Sequence, residues 1–462
     1  MDTDIKTPAL PPGPRMPRPM QTMAWLTRPG PFMQRAQQRF GDVFTVRIAQ
    51  EGTWVFVAHP DLVKQVFTGD PRLLHAGEAN RILGPVVGDQ SVLLLDEAPH
   101  MRERKLLLPP FHGERMQRYG DLMYEIAEQE IATWPRGEPI ELWPRMQNVT
   151  LEIIMRTVFG VEEGARLDRL RGVLSHLLER VTLKRSMALV ALIGPDRIRK
   201  LDLFKREIAP VDELLLDEIR QRRLDPSVAE RDDILSLLVQ ARHEDGEPMS
   251  DSELRDELMT LLVAGHETTA TSLAWAIERL VRHPEKLERL RDEALAGGEY
   301  AGGAQSDSQS DERRTMPYAD ATVKEILRLR PVLPLVVRRT TEPMEIGGHL
   351  LPAGVSLAPC IYLIHRREDI YPGAAAFRPE RFLEQPAGTY TWIPFGGGVR
   401  RCLGASFAQF EMKQVLRALV TELDLRPAER EAERISRRAI TLTPSAGARV
   451  IAGQREPVLA PA

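Results

Sequence analysis

Cysteine is almost absent from this sequence: its 462 residues include two, Cys360 and Cys402. They form no C-x-x-C pair, which argues against a disulfide framework, a zinc ribbon and C-x-x-C cofactor attachment. A reducing, cytosolic setting is expected. Net charge is also small, −4 at pH 7, so no general basicity argues for nucleic acid. Behind Met1-Asp2-Thr3-Asp4 there is no apolar run of signal-peptide or membrane length. Residues 1–20 read instead as a proline-rich lead-in around Leu10-Pro11-Pro12-Gly13-Pro14. With 43% hydrophobic and 28% charged residues, the composition is that of a globular protein.

One stretch organises the rest: Phe395-Gly396-Gly397-Gly398-Val399-Arg400-Arg401-Cys402-Leu403-Gly404. Thiolate is a soft ligand suited to iron. Glycines let backbone pass close to a flat cofactor without Cβ clashes. Residues 403–423 read as an amphipathic helix, which places Cys402 at a helix N-terminus, where free N–H groups favour thiolate over thiol. The plain alternative is a core cysteine on a glycine turn.

Upstream, 31–40 reads as helix, 43–48 and 53–58 as strands around a Gln50-Glu51-Gly52 turn, and 60–67 as helix. Residues 72–99 are broken by Gly77, Gly84, Pro85, Gly88 and Pro99 and form a long apolar-bearing loop. His100 and Arg104 share one helix face. From 115 to 245 successive amphipathic helices are expected. The apolar run 187–193, flanked by Lys184, Arg185, Arg197, Arg199 and Lys200, is a core segment, a lid tip or a membrane contact.

Ser250-Asp251-Ser252-Glu253 has the pattern of a capping box and opens a long helix. In its apolar middle stands Ala264-Gly265-His266-Glu267-Thr268-Thr269. Thr268 can bond the Ala264 carbonyl or release it, and Gly265 would let a ligand lie against the backbone. His266 is given no role. A helix is expected over 282–295, a flexible loop over 297–316, and a helix from Pro317 that sets Glu325 and Arg328 on one face. Residues 331–338 read as a strand. Phe377-Arg378-Pro379-Glu380-Arg381-Phe382 follows, and Cys360 reads as an inert core residue.

Taken together, the His100 and Arg104 pair, A-G-x-E-T-T, E-x-x-R, P-E-R-F and F-x-x-G-x-R-x-C-x-G, in this order, resemble the cytochrome P450 family of haem-thiolate monooxygenases. The resemblance covers nearly the whole chain. It implies a mainly α fold with small β-sheets (α+β), one domain over 1–462 that encloses a b-type haem. It implies Cys402 as the axial ligand of haem iron, held in the loop of Phe395, Gly398, Arg400 and Gly404. The propionates would meet His100, Arg104, Arg338 and Arg400. Ala264, Gly265, Glu267 and Thr268 would form the oxygen groove, with Thr268 positioning water and Glu267 relaying protons. Glu325, Arg328 and Arg381 would form a buried ionic triad. Val332, Leu333, Val336 and Val337 would line the substrate pocket.

The implied activity is oxidation of a small apolar substrate such as a fatty acid, terpenoid, steroid or polyketide. The thiolate favours O–O cleavage. Electrons would come from an external ferredoxin and its NAD(P)H-dependent reductase, docking near Arg102, Lys105, Arg115, Arg401 and Lys413. The missing anchor implies a soluble, cytoplasmic enzyme. The alternatives are a peroxide-driven oxygenase or isomerase on the same scaffold, and a non-catalytic haem sensor or carrier.

Overall fold

The computed structural model describes residues 9–111, 115–161, 164–182, 193–298 and 316–454. Residues 184, 185, 187–192 and 299–315, which carry parts of the expected lid tip and flexible loop, lie outside them.

Residues 9–17 of the lead-in form no helix or strand and bond to neighbouring strands, while the first helix begins at Arg18, earlier than the expected end of the lead-in. Ala9 N donates to Leu350 O, and Thr45 N and Oγ1 donate to the carbonyls of Pro12 and Pro11. Helix α1 (Arg18–Thr27) and helix α2 (Pro29–Phe40) each begin with a proline in the first turn, where its missing N–H costs nothing. Strands β1 (Val43–Ile48) and β2 (Gly52–Val57) pair antiparallel, as the alternation predicts, with Gln50 and Gly52 both at positive φ in the turn. Phe44 stacks on Phe56, and Trp25 meets Phe56 edge-on. Strand β5 (Ser356–Pro359) joins β2 in parallel, followed by β4 (Arg338–Thr340) and β3 (Leu74–His75), to complete a five-stranded sheet. Helix α3 (Pro60–Thr68) packs beside it.

Residues 331–337 do not form the expected strand, which begins only at Arg338. Pro331 and Pro334 have no N–H to give a ladder. The segment is held by scattered bonds instead: Leu442 N to Val332 O, Tyr362 N to Pro334 O, and Val336 N to Pro359 O. The Gly347-Gly348 hairpin is as expected, both glycines having positive φ.

The larger core is helical. Helix α4 (Glu97–Leu107), helix α5 (Arg115–Ala132), helix α6 (Leu142–Val158) and helix α7 (Ala165–Thr182) precede α8 (Asp202–Leu224). Helix α9 (Asp251–Leu280) is 30 residues long. Its capping box is complete: Glu253 N donates to Ser250 Oγ, and Ser250 N donates to the Glu253 carboxylate. Along most of its length α9 is buried by α6, α8 and α12 (Ala405–Glu422), the helix after the cysteine loop. Helix α10 (Pro284–Gly298) runs three residues beyond the expected end, and α11 (Pro317–Leu329) follows. C-terminal strands form two further sheets, one of which takes in residues 139–141.

Candidate functional site

Cys402 follows a single 3-10 turn (Gly398–Arg400), and its N–H donates to Phe395 O at 3.0 Å. The helix starts later than the sequence suggests, with Gly404 as N-cap. Cys402 has open surface, yet protein crowds it closely. It therefore stands on the wall of a recess, not on the outer surface. Burial pushes its thiol up; the Gly404 N–H, Arg104 and Arg401 pull the other way. Helix-terminal N–H groups do not by themselves make this cysteine a thiolate. Metal coordination would, because a coordinating thiol is deprotonated outright.

The glycines have more than one purpose. A Cβ on Gly397 would lie 2.2 Å from the Phe67 ring, and one on Gly398 would lie 2.0 Å from Phe67 O. These two admit the end of α3, not a cofactor. Gly404 differs: its φ is −84°, and a Cβ there would meet no protein atom within 4 Å. Phe395 packs edge-on against Trp392, with centroids 5.9 Å apart.

Around this loop lies a concentration of buried cations. Arg338 is 7% exposed, and its guanidinium bonds the Val337 carbonyl at 2.8 Å. Burial and the nearby Arg400 lower it to about 10. Arg400 bonds Val92 O, Leu95 O and Asp96. Arg104 is lowered by burial, while Cys402 favours its charge. His100 is held to about 3 by burial, then by Arg400, Arg104 and Arg338, so it is neutral. Three guanidiniums thus gather around His100, and the carboxylate among them, Asp96, is bonded by Arg400. The excess of two positive charges is what a ligand bearing two carboxylates would cancel. Haem is such a ligand, and with the soft thiol of Cys402 and the clear space at Gly404 these residues fit it.

The sequence assigned Arg400 to a propionate; its three protein acceptors make it also a clamp on residues 92–96. Asp96, which the sequence analysis missed, accepts from Gly77 N and Glu78 N as well. The same segment is seamed to α9: Gln90 N bonds Asp256, Ser91 Oγ bonds Thr260 Oγ1, and Val92 N bonds Glu257. Further upstream, Arg199 grips Asp89 with two bonds of 2.7 Å and also bonds Gly84 O. A polar cavity of about 220 Å³ opens there, lined by Arg81, Pro85 and Asp196 among others.

In the middle of α9, surrounded by buried turns, Ala264, Gly265, Glu267 and Thr268 retain open surface. Thr268 Oγ1 donates to Ala264 O at 2.6 Å, as the sequence suggests. The helix stays α-helical through this point and does not open, since the hydroxyl shares the carbonyl without breaking the ladder. Gly265 does not serve as expected: a Cβ there would meet Ile154 Cδ1 at 2.9 Å, so its smallness admits α6. Glu267 accepts from Thr441 Oγ1 at 3.0 Å. Burial raises it, against Thr441 and Arg438. His266 points away, its Nε2 toward Gln147 O. Next to Thr268, Thr269 bonds the buried carboxyl of Glu411 on α12, which ties the oxygen-helix residues to the helix behind Cys402.

The ionic triad forms as expected. Glu325 and Arg328 make two bonds of 2.7 and 2.8 Å, and Arg381 Nε reaches Glu325 at 3.1 Å. Arg328 also donates to the carbonyls of His365, Ala374 and Ala376. His365 is a second residue the sequence did not mark. It faces Arg328 O with Nδ1 and accepts Ile393 N–H on Nε2, joining α11 to the start of the cysteine loop. Its location among unrelated segments left no local signal.

Of the four expected pocket residues, Leu333 and Val336 pack with the cluster around Phe67 and Ile393, and Val337 with the cluster around Trp25. Val332 is 8% exposed. Of the expected docking cations, Arg102 lies near Asp245, Lys105 pairs with Glu244 and Lys413 lies near Asp320. Arg401 is exposed, and the side chain of Arg115 lies outside the description. Cys360 is buried and pushed up to about 12. Among the described residues no helix is long and apolar enough to cross a membrane.

Comparison with known proteins agrees with this arrangement. The family model "Cytochrome P450" matches residues 11–451. The chain is 42% identical over 445 residues to "Putative cytochrome P450 135B1" of Mycobacterium tuberculosis, covering 96% of this chain and 91% of that one. It is 38% identical over 418 residues to "Putative cytochrome P450 137" of the same species, covering 90% and 84%. Among solved structures, a retinoic acid-bound cyanobacterial CYP120A1 superposes with a TM-score of 0.80 at 23% identity, covering 97% of this chain and all of that one. The haem domain of cytochrome P450DA gives 0.82 at 24%, covering 98% and 99%. These two show the fold. The chain therefore belongs to the cytochrome P450 family, the monooxygenases that bind haem b.

Proposed function

We propose that this monooxygenase uses Cys402 as the axial thiolate of its haem and oxidises, by hydroxylation or epoxidation, a small apolar substrate such as a fatty acid, terpenoid, steroid or polyketide. Bound haem supplies oxygen activation, which the thiolate favours; the chain supplies position, charge and protons. Arg104, Arg338 and Arg400, beside neutral His100, hold the two carboxylates. Phe395, Gly398 and Gly404 shape the loop that presents Cys402.

The observation that carries the oxygenase reading is the open stripe of Ala264, Glu267 and Thr268 inside an otherwise buried helix. Polar groups at mid-helix in a core are costly unless used. Thr268 can turn its hydroxyl from Ala264 O toward a water in the groove. Glu267, raised by burial, retains a proton near neutrality more readily than a surface carboxyl and can pass it on. A sensor or carrier needs neither.

Electrons would come from a ferredoxin and its NAD(P)H-dependent reductase in the cytoplasm. Arg401 is the exposed cation of the cysteine loop and would lead docking of an acidic carrier. Val332, Leu333, Val336 and Val337 would form the apolar side of the substrate pocket.

The test is a Soret titration of the ferric protein with fatty acids, terpenes, steroids and phenolics, followed by turnover with surrogate ferredoxin and reductase. A saturable low-to-high-spin shift with one class, and oxidised product from it, is expected. No thiolate-type haem spectrum, or no substrate-dependent NAD(P)H oxidation with any binder, would overturn the reading.

A further inference from the structure

Helix α4 has a second buried polar face, beside the one that carries His100 and Arg104. Glu103 on that helix is 4% exposed, and His243, in the loop before α9, is 5% exposed. Glu253, in the first turn of α9, completes the group. One donor atom from each lies within 4.8 Å of the other two. His243 Nε2 stands 4.0 Å from Glu103 and 3.9 Å from Glu253. Those separations are too long for hydrogen bonds. His243 Nε2 and Glu103 Oε2 are both buried without a partner. Buried polar atoms of this kind are rare and costly, and the imidazole nitrogen is aimed at the two carboxylates.

We propose that Glu103, His243 and Glu253 form a three-ligand site for a divalent transition-metal ion. An imidazole with two carboxylates suits zinc and its neighbours, whereas calcium and magnesium prefer oxygen ligands throughout. Zinc bonds of 2.0–2.2 Å set tetrahedral ligand atoms about 3.3 Å apart. Side-chain rotations of under about 1 Å would therefore close this triangle. The ion would offset a local excess of negative charge, since Glu257, on the next turn of α9, feels both Glu103 and Glu253.

Loading requires one rearrangement. Arg102 Nε donates to His243 Nδ1 at 2.9 Å, which leaves the ring proton on Nε2. With a metal on Nε2 the proton moves to Nδ1, and Arg102 must turn away. Its side chain is 47% exposed and already 3.7 Å from Asp245, which would receive it. The loaded site fastens α4 to the first turn of α9 through the loop between them. It lies outside the haem site and uses none of its residues.

The experiment uses haem-loaded protein, dialysed against chelator and titrated with zinc chloride alone. Retained zinc per chain is measured after desalting, and zinc K-edge absorption is recorded on the loaded wild type. One retained equivalent is expected, with a nitrogen and oxygen shell and no sulfur. Both His243→Gln and Glu103→Gln should weaken retention at least 100-fold while keeping the Soret band. His176→Gln, at an exposed histidine near Glu207, should keep it. Failure of wild type to retain zinc, a sulfur ligand in its absorption spectrum, or equal retention in folded His243→Gln overturns the proposal. The absorption measurement decides even if the variants misfold.

Discussion

A side chain at Gly398 would collide with the backbone of Phe67: its Cβ would stand 2.0 Å from the Phe67 carbonyl oxygen, at a φ of +66°. No rotamer change relieves contact with backbone. The left-handed conformation alone costs about 1–2 kcal/mol for alanine. Gly398→Ala is therefore expected to lower the melting temperature of both haem-loaded and haem-stripped protein. Gly404→Ala meets no protein atom within 4 Å. It should change the stripped protein by under about 0.5 kcal/mol and weaken haem retention. Equal melting losses in the two stripped variants would contradict this account.

Glu325 is 0% exposed and neutralises Arg328 and Arg381 together. Glu325→Gln removes the one charge and leaves two buried guanidiniums facing each other. A loss of about 3–5 kcal/mol is expected, read by denaturant unfolding of the haem-loaded protein. A change under about 1 kcal/mol would show that backbone carbonyls alone satisfy the two arginines.

His365 should make the fold acid-sensitive. Burial first, then Arg328 and Arg366, hold it well below the usual imidazole range. The unfolded chain therefore takes up a proton below about pH 6.5 that the folded chain refuses. This contribution to stability is complete above that pH and is lost as pH falls. The slope from this group reaches about 1.4 kcal/mol per pH unit. Stability measured from pH 7.5 to 5 should show it, and His365→Gln should flatten the profile. An unchanged profile in the variant would assign the acid sensitivity to another group.

Thr268→Ala removes the hydroxyl that bonds Ala264 O without disturbing a core contact. Stability should fall by less than about 1 kcal/mol. Product formed per NAD(P)H consumed should fall by about 10²-fold, within the range for a lost proton-transfer group. Thr268→Ser should restore much of it. Coupled turnover in Thr268→Ala equal to wild type would remove Thr268 from the proton path.

What was legible in the sequence was local. The capping box of Ser250 and Glu253, the turn at Gln50 and Gly52, and the bond from Thr268 to Ala264 each span five residues or fewer, and each is present. The triad was legible because its spacing repeats a family pattern. The strand expected over 331–338 failed up to Arg338 because an apolar run says nothing of the N–H groups that Pro331 and Pro334 lack. Gly397, Gly398 and Gly265 were read as space for a cofactor or ligand, but their space is filled by Phe67 and Ile154. Asp96 and His365 gave no signal, because their partners come from distant parts of the chain.

Residues 77–96 are fastened unequally along their length. Asp96 and Arg400 fix one end of this segment to the cysteine loop, and Asp256, Glu257 and Thr260 stitch residues 90–92 to α9. The segment's other side, around Gly84 and Asp89, is latched by Arg199, an ion pair whose Asp89 side chain is 75% exposed and therefore weak. The part of the segment with the least hold is therefore residues 81–89, and the part next to the cysteine loop is the one held from both sides.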